Sequence, residues 1–206
     1  SLRISDVWTD LAKKKVSRKD FEHTIKSEKF FNNFKKLVIG AKVINVERRA
    51  KNILINLNNG YTILIHLKMT GHLIYGDYVY DKKINAWLPH KNERISLHDP
   101  YNRFVHVVFT FSNKKHLAFC DSRKFGKVTI LETKDADNTI HLKGVGPEPL
   151  EENFTFTDFK NVLMKKPNWP MKQILMDQYT IAGIGNIYSD EMLWLASIHP
   201  ESRINK

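Results

Sequence analysis

Hydrophobic positions in the first 40 residues recur at the spacing of an α-helix. They follow Ser17, which has Asp20 three residues later, and they continue up to Gly40 as Phe21, Ile25, Phe30, Phe31, Phe34 and Leu37. A serine followed three residues later by an acid often begins a helix, because both side chains bind backbone amides of the first turn. The pattern predicts one or two helices ending at Gly40.

Between residues 43 and 131 the apolar spacing changes to the alternation and short apolar runs that are typical of strands. Strands are predicted at residues 43–46, 53–57, 63–67, 104–111, 116–120 and 128–131. The sequence Asn58-Asn59-Gly60 predicts a hairpin turn between the second and third of them, because asparagine and glycine tolerate positive φ. Residues 75–101 are charged and poorly periodic, which predicts a loop with at most one short strand.

Two prolines at residues 146–149 suit neither a helix interior nor a central strand, so they close the strand-rich part of the chain. Helical spacing follows at residues 157–164, with Thr157 as the predicted cap, and at 172–179 and 187–196. We therefore predict an α+β protein, with an antiparallel β-sandwich domain in residues 1–145 and a helical domain in residues 146–206.

A turn rich in glycine, Ile181-Ala182-Gly183-Ile184-Gly185-Asn186, precedes the last predicted helix. The first amides of a helix lack intrahelical partners and carry positive potential, so they form a natural phosphate site. Asn186 would add a side-chain contact and Lys172 a charge. The alternative is a plain connection between helices in which glycine only permits the bend.

Positive charge is in excess: 33 Lys and Arg stand against 22 Asp and Glu, giving a formal net charge of +11. This imbalance is typical of polyanion binders, although charge spread evenly for solubility would give the same total. Cys120 is the single cysteine, which excludes a disulfide or a cysteine-based zinc site within this chain. We expect a cytoplasmic protein without a membrane segment, because no apolar run approaches bilayer length and no signal peptide is visible.

Four segments, in this order, resemble the bacterial formamidopyrimidine-DNA glycosylase family, which is related to endonuclease VIII. They are RRAK at 48–51, HLKMTG at 66–71, DSRKFG at 121–126 followed by the linker GPEPL at 146–150, and the helix-two-turn-helix sequence at 171–201. The resemblance implies a bifunctional DNA glycosylase and abasic-site lyase that removes oxidised purines, 8-oxoguanine and formamidopyrimidine, by base flipping and Schiff-base β,δ-elimination. It also implies a monomer whose partner is double-stranded DNA containing oxidised bases or abasic sites.

The resemblance further implies roles for individual residues. Met69 would enter the space left by the extruded base, Arg123 would face the unpaired base, and Phe125 would wedge between neighbouring pairs. From the residues alone, core packing is the preferred explanation for Met69 and Phe125, and a solvated surface charge is the alternative for Arg123. Phosphate contacts would come from Lys51, His66, Lys172, Gly185 and Asn186.

The chain departs from the family pattern in three places. Arg103-Phe104-Val105-His106 replaces a Lys-His-Asp-His run, so a phosphate-binding histidine of the family is replaced by Phe104. The N-terminal proline nucleophile and its neighbouring glutamate have no counterpart, so no catalytic residue is assigned. No metal site is expected in this chain, because the zinc finger of the family would lie beyond Lys206.

These departures leave three hypotheses. The chain is a fragment of the repair enzyme, inactive alone and preceded by further sequence upstream of Ser1; or it is a non-catalytic protein that binds damaged or bent DNA. A small-subunit ribosomal protein also contains a helix-two-turn-helix, but RNA binding of that kind explains the predicted strands poorly.

Overall fold

The computed structural model describes residues 2–10 and 24–205. The predicted cap at Ser17 and the helical position Phe21 lie outside the described residues. Backbone contacts divide the described chain into two compact units. The first comprises residues up to Glu47 together with Asn52–Ala136, and the second comprises Arg48–Lys51 together with residues from Asp137 onward.

In its described part, the first unit is a β-sandwich with one α-helix. Its elements are β1 (Ile4–Thr9), α1 (Glu28–Val38), β2 (Val43–Arg49, whose last two residues belong to the second unit), β3 (Asn52–Leu57), β4 (Tyr61–His66), β5 (His72–Gly76), β6 (Tyr78–Asp81), β7 (Ala86–Pro89), β8 (Val105–Phe111), β9 (His116–Cys120) and β10 (Lys127–Glu132). One four-stranded sheet has the order β1-β8-β9-β5 and the other the order β10-β4-β3-β2. Each strand predicted from the sequence is confirmed, including the hairpin that joins β3 to β4.

The main core lies between the two sheets and under α1. Side chains from both sheets meet there, among them Val7, Ile63, Ile65, Phe109 and Phe119, each at most 1% exposed. Helix α1 adds Phe31, Phe34 and Val38, whose spacing places them on one face. Its N-cap is Ser27, whose hydroxyl accepts the Phe30 amide at 3.1 Å, so the predicted helical position Ile25 precedes the helix.

The prediction of a loop at residues 75–101 was wrong. This segment contains the two-stranded sheet β6–β7 and two short 3-10 turns, Ile95–His98 and Pro100–Arg103. Tyr78 and Leu97 from this segment pack on the opposite face of the β1-β8-β9-β5 sheet, against Val108 and Ala118. The sheet is therefore covered on both faces, and each covering strand is only four residues long, too short for alternation to be visible in the sequence.

The second unit contains helices α2 (Phe156–Met164), α3 (Met171–Met176) and α4 (Asn186–Leu195) around a small core of Leu175, Ile181, Ile184 and Leu193. The predicted cap Thr157 was wrong: Thr155 caps α2 and forms a capping box with Asp158. Helix α3 ends three residues before the predicted Tyr179. The backbone turns extended at Asp177, and the Asp177 carboxylate accepts the Thr180 hydroxyl at 2.5 Å.

In the part of the chain that the structure describes, no helix combines the length and apolarity needed to cross a bilayer.

Candidate nucleic-acid interface

Three loops of the first unit meet at one edge of the sandwich. The strand register shows why: Cys120 at the end of β9 is opposite both His72, where β5 begins, and Val105, where β8 begins. In the other sheet, His66 at the end of β4 is opposite Lys127, where β10 begins. This edge carries the cations Lys68, Arg103, Arg123, Lys124 and Lys127, the last at the start of β10. This concentration of positive charge suits a polyanion.

Met69, Arg123 and Phe125 come together at this edge. Met69 is 72% exposed and Phe125 is 41% exposed, so neither side chain belongs to a packed core. Arg123 lies between them: its Nη1 is 3.4 Å from Met69 Sδ, and its Cζ is 5.0 Å from the centre of the Phe125 ring. Two apolar side chains are therefore presented to solvent around one guanidinium.

Asp121 fixes the loops that carry these side chains. Its buried carboxylate accepts the Thr70 hydroxyl, the Arg123 amide at 3.1 Å and the Gly126 amide at 2.8 Å. Burial raises the pKa of Asp121, but the hydrogen bonds from Thr70 and from the amides of Gly126, Arg123 and Phe125 outweigh it, so the pKa lies below its usual value. One ionised carboxylate therefore binds both the Met69 loop and the Arg123 loop.

Gly126 is required where these loops close on the core. A Cβ at this position would lie 2.4 Å from Phe119 Cζ and 3.1 Å from the His66 carbonyl oxygen. Any side chain would displace the loop from the sheet, and Phe125 would move with it.

His66 is half-buried at the same edge. Its Nδ1 accepts the Lys68 amide at 3.0 Å, so the neutral ring carries its proton on Nε2. Nε2–H is a hydrogen-bond donor of the kind that phosphate oxygens accept.

The run Arg103-Phe104-Val105-His106, which departs from the family pattern, lies at the same edge. Phe104 is half-buried, and its carbonyl accepts the Asp121 amide at 2.9 Å. His106 is buried: Nδ1 lies 3.0 Å from Asp10 Oδ2, and Nε2 lies 2.8 Å from the Asp121 carbonyl. The remaining histidine of this run therefore serves the packing of the unit.

In the second unit, the glycine turn is braced by Gln178. Its Nε2 donates to the carbonyls of Met176 and Ile184, both at 2.8 Å, and its Oε1 accepts the Gly183 amide at 3.0 Å. Gly183 has φ +84°, a conformation that other residues adopt only with strain. The turn is thus a fixed platform for the start of α4.

Helix α4 begins without a side-chain cap. Gly185 is the N-cap residue, Asn186 is the exposed first helical residue, and the first turn contains no acidic residue. A Cβ on Gly185 would lie 3.5 Å from Lys51 Nζ, so the ammonium of Lys51 is next to this helix terminus. The dipole and the ammonium both favour an anion here. Lys51, Gly185 and Asn186, three of the predicted phosphate ligands, are therefore neighbours.

Lys172 differs from its expected setting. Its Nζ forms an ion pair with Asp190 Oδ1 at 2.6 Å, and both side chains are partly exposed. Because Asp190 already neutralises this charge, a phosphate would have to compete with the carboxylate.

Glu148 is a feature that the sequence did not reveal. It is 4% exposed, and its carboxylate binds Arg48 at 2.7 Å, Arg49 at 3.1 Å and the Ala50 amide. Burial raises the pKa of Glu148, but the hydrogen bonds from the Ala50 amide and the two guanidinium groups outweigh this effect, so the pKa lies below its usual value. Glu148 thereby fixes the turn, with Ala50 at φ +51°, that places Lys51.

The described residues do not suit a zinc finger. Within residues 2–10 and 24–205, no group of three or more His, Cys, Asp or Glu side chains is arranged to hold a metal ion, and Cys120 is buried.

Comparison with known families identifies both units. The model of the formamidopyrimidine-DNA glycosylase N-terminal domain matches residues 4–128. The model of the formamidopyrimidine-DNA glycosylase H2TH domain matches residues 145–206.

The chain is also similar in sequence to individual formamidopyrimidine-DNA glycosylases. The formamidopyrimidine-DNA glycosylase of Pelotomaculum thermopropionicum is 38% identical over 170 residues, covering 82% of this chain and 54% of that protein. That of Chloroflexus aggregans is 39% identical over 168 residues, covering 81% and 53%. This chain spans about half the length of the curated relatives it matches.

Solved structures with the same fold include complexes with DNA. The complex between Lactococcus lactis Fpg and an abasic site containing DNA has a TM-score of 0.74 at 25% identity, covering 100% of this chain and 64% of that chain. The complex of the same protein with FAPY-dG containing DNA has a TM-score of 0.73 at 26% identity, covering 100% and 65%.

Proposed function

The chain belongs to the formamidopyrimidine-DNA glycosylase family, and on that premise we propose that it recognises oxidised or abasic duplex DNA as part of a base-excision repair glycosylase. The protein would extrude the damaged nucleotide and hold the duplex open while the base is removed. Its partner would be double-stranded DNA containing 8-oxoguanine or formamidopyrimidine opposite cytosine, or an abasic site.

The observation that carries this proposal is the contact of Arg123 with both Met69 and Phe125 on an exposed edge. An extruded base leaves a gap that must be filled, or the duplex recloses. Met69 would enter the gap, Arg123 would donate hydrogen bonds to the unpaired base, and Phe125 would intercalate beside it. Exposed apolar side chains on a basic edge suit this task, because the gap is apolar and its surroundings are anionic.

Phosphate contacts would position the duplex without reading its sequence. In the second unit, the amides at the start of α4, the Asn186 side chain and the Lys51 ammonium form one such site. In the first unit, His66 would donate from Nε2. Lys172 would contribute only by exchanging Asp190 for a phosphate.

The chemistry proposed for the whole protein is glycosidic cleavage followed by lyase cleavage. An amine attacks the sugar carbon C1′, the base departs, and the resulting iminium acts as an electron sink for β- and δ-elimination. We assign this amine to no residue of the present chain, and we expect the chain by itself to bind DNA without cutting it.

Fluorescence anisotropy tests the recognition step directly. The 206-residue chain would be titrated into labelled duplexes that contain a tetrahydrofuran abasic analogue, 8-oxoguanine opposite cytosine, or no lesion. We expect the lesion duplexes to bind about tenfold more tightly than the plain duplex, a difference of about 1.4 kcal/mol. Equal affinity for all three would overturn the proposal.

Borohydride trapping on abasic-site DNA separates an enzyme from a binding module. Lesion preference without a covalent adduct is the result expected of this chain. An adduct would show that an amine of the chain itself is the nucleophile, and mass spectrometry of the digested adduct would identify it.

A further inference from the structure

A second stack of arginine on phenylalanine lies at the same edge of the first unit. Arg103 ends the 3-10 turn Pro100–Arg103, and Phe104 follows it just before β8. The Arg103 Cζ lies 4.8 Å from the centre of the Phe104 ring, close to the 5.0 Å between Arg123 and Phe125. The Arg103 side chain is exposed and the Phe104 ring is half-buried, so the ring anchors the guanidinium at the surface.

This stack is joined to the gap-filling residues through Asp121. The Phe104 carbonyl accepts the Asp121 amide at 2.9 Å, and the Asp121 carboxylate binds the Met69 and Arg123 loops. Arg103 is therefore part of the same hydrogen-bonded assembly as the side chains that we place in the gap.

The turn that carries Arg103 is fixed on both sides. Asp99 accepts the Tyr101 amide at 2.8 Å. Asn102 donates to the carbonyls of Ser96 and Leu97 at 2.8 and 3.0 Å, and its Oδ1 lies 3.0 Å from His72 Nε2. Because His72 begins β5, the position of Arg103 is set by the sheet.

Unlike several other cations of this chain, Arg103 has no acidic partner among the residues that the structure describes. Lys172 pairs with Asp190, and Arg48 and Arg49 pair with Glu148. No carboxylate within residues 2–10 and 24–205 forms an ion pair with Arg103. Its guanidinium keeps its hydrogen-bond donors for an external anion.

We propose that Arg103, oriented by the Phe104 ring, binds a backbone phosphate of the DNA next to the gap. This proposal rests on the proposed function, and it replaces the histidine contact that the family resemblance implies at position 104. A planar guanidinium binds phosphate oxygens in a bidentate manner, and stacking on a ring holds its plane in one orientation. Phe104 thus contributes through Arg103 instead of touching DNA as a histidine would.

The test compares the salt dependence of DNA binding in wild type, Arg103→Ala and Arg103→Lys. Arg94→Ala is the matched control: Arg94 is an exposed arginine of the same segment, next to Glu93, which binds the Asp77 amide. Asp77 directly follows Gly76, the last residue of β5. Gly76 is opposite His116, whereas His72, at the other end of β5, is opposite Cys120, so Glu93 binds the end of β5 that is away from the edge with Arg103. Affinities for abasic-analogue and undamaged duplexes would be measured between about 50 and about 200 mM salt.

Loss of one phosphate contact should reduce the slope of log K against log salt by about 0.9. Between the lowest and the highest salt concentration, the factor by which affinity falls should therefore be about 3.5-fold smaller for Arg103→Ala than for wild type. At the lowest salt concentration, Arg103→Ala should bind more weakly than wild type. Arg94→Ala and Arg103→Lys should keep the wild-type slope, the latter because lysine retains the charge.

A wild-type slope in Arg103→Ala would overturn the proposal. A slope in Arg103→Lys as low as in Arg103→Ala would also overturn it, because the loss would then come from a disturbed turn. If wild type bound both duplexes equally, the proposed function would fail, whereas the slopes on undamaged duplex would still decide the role of Arg103.

Discussion

The guanidinium of Arg123 lies 3.4 Å from the sulfur of Met69 and stacks 5.0 Å from the Phe125 ring centre, while all three side chains remain exposed. The three side chains are thus grouped before DNA binds. Their loops are joined by one buried carboxylate, so little ordering is left for the moment of binding.

Replacing Arg123 by alanine should relax the choice of the base opposite the lesion. The guanidinium would discriminate cytosine by about 1–2 kcal/mol through hydrogen bonds to its edge. Affinities for an abasic analogue placed opposite each of the four bases measure this directly. We expect Arg123→Ala to bind all four duplexes within about twofold. Discrimination as strong as in wild type or in the Arg94→Ala control would contradict the role.

Asp121 predicts a pH dependence of stability. Its pKa in the folded protein lies below the usual 3.8, so the unfolded state binds more protons in this range. The stabilisation is complete above the unfolded pKa and is lost as pH falls through the folded pKa. Asp121→Asn should therefore lower the free energy of unfolding by about 2 kcal/mol at neutral pH, with a smaller difference below about pH 4.

Thermal unfolding of Asp121→Asn between about pH 7 and about pH 3 checks this. Asp137→Asn, at an exposed position, provides the control. A difference from wild type that stays constant over the whole range would show that ionisation of Asp121 contributes nothing.

Glu148→Gln should destabilise the second unit and weaken DNA binding. Two arginines and the Ala50 amide would lose a charged acceptor, at a cost of about 2–4 kcal/mol. Chemical denaturation gives the loss of stability, and anisotropy at permissive temperature gives the loss of affinity caused by the displaced Lys51. Glu152→Gln, at an exposed position, should change neither quantity. Full stability in Glu148→Gln would show that the turn is held by other contacts.

Two substitutions in the layer formed by β6 and β7 should have opposite effects on the free energy of unfolding. The Tyr78 side chain is buried, and its hydroxyl has no protein partner within the described residues. Tyr78→Phe should therefore raise the free energy of unfolding by about 1 kcal/mol, since an unpaired polar group is removed. Trp87→Ala should lower it by about 3 kcal/mol, because Trp87 packs on His116 and Tyr80. Urea denaturation measures both, and destabilisation by Tyr78→Phe would contradict the assignment.

The main strands were predictable because their signal is local. Apolar alternation identifies β3, β4, β8 and β9, and Asn58-Asn59-Gly60 identifies the connecting hairpin. The glycine turn was predictable for the same reason, since the geometry of the start of α4 depends on neighbours in sequence.

Other features depend on residues that are distant in sequence. Glu148 binds Arg48 across 100 positions, and Thr70 binds Asp121 across 51. In neither pair does the spacing or the composition of the sequence indicate which residue is the partner. The ion pair of Lys172 with Asp190 is similarly invisible, although it changes what that lysine offers to a phosphate.

The most direct test of the central claim is the ratio of affinities for abasic-analogue and undamaged duplex in wild type, Met69→Ala, Phe125→Ala and the control Met164→Ala. Met164 is an exposed methionine of the second unit, at the end of α2. We predict that the ratio falls about tenfold in Met69→Ala and in Phe125→Ala and is unchanged in Met164→Ala. Equal losses of affinity for both duplexes, leaving the ratio at its wild-type value, would show that these side chains do not fill a gap in the DNA.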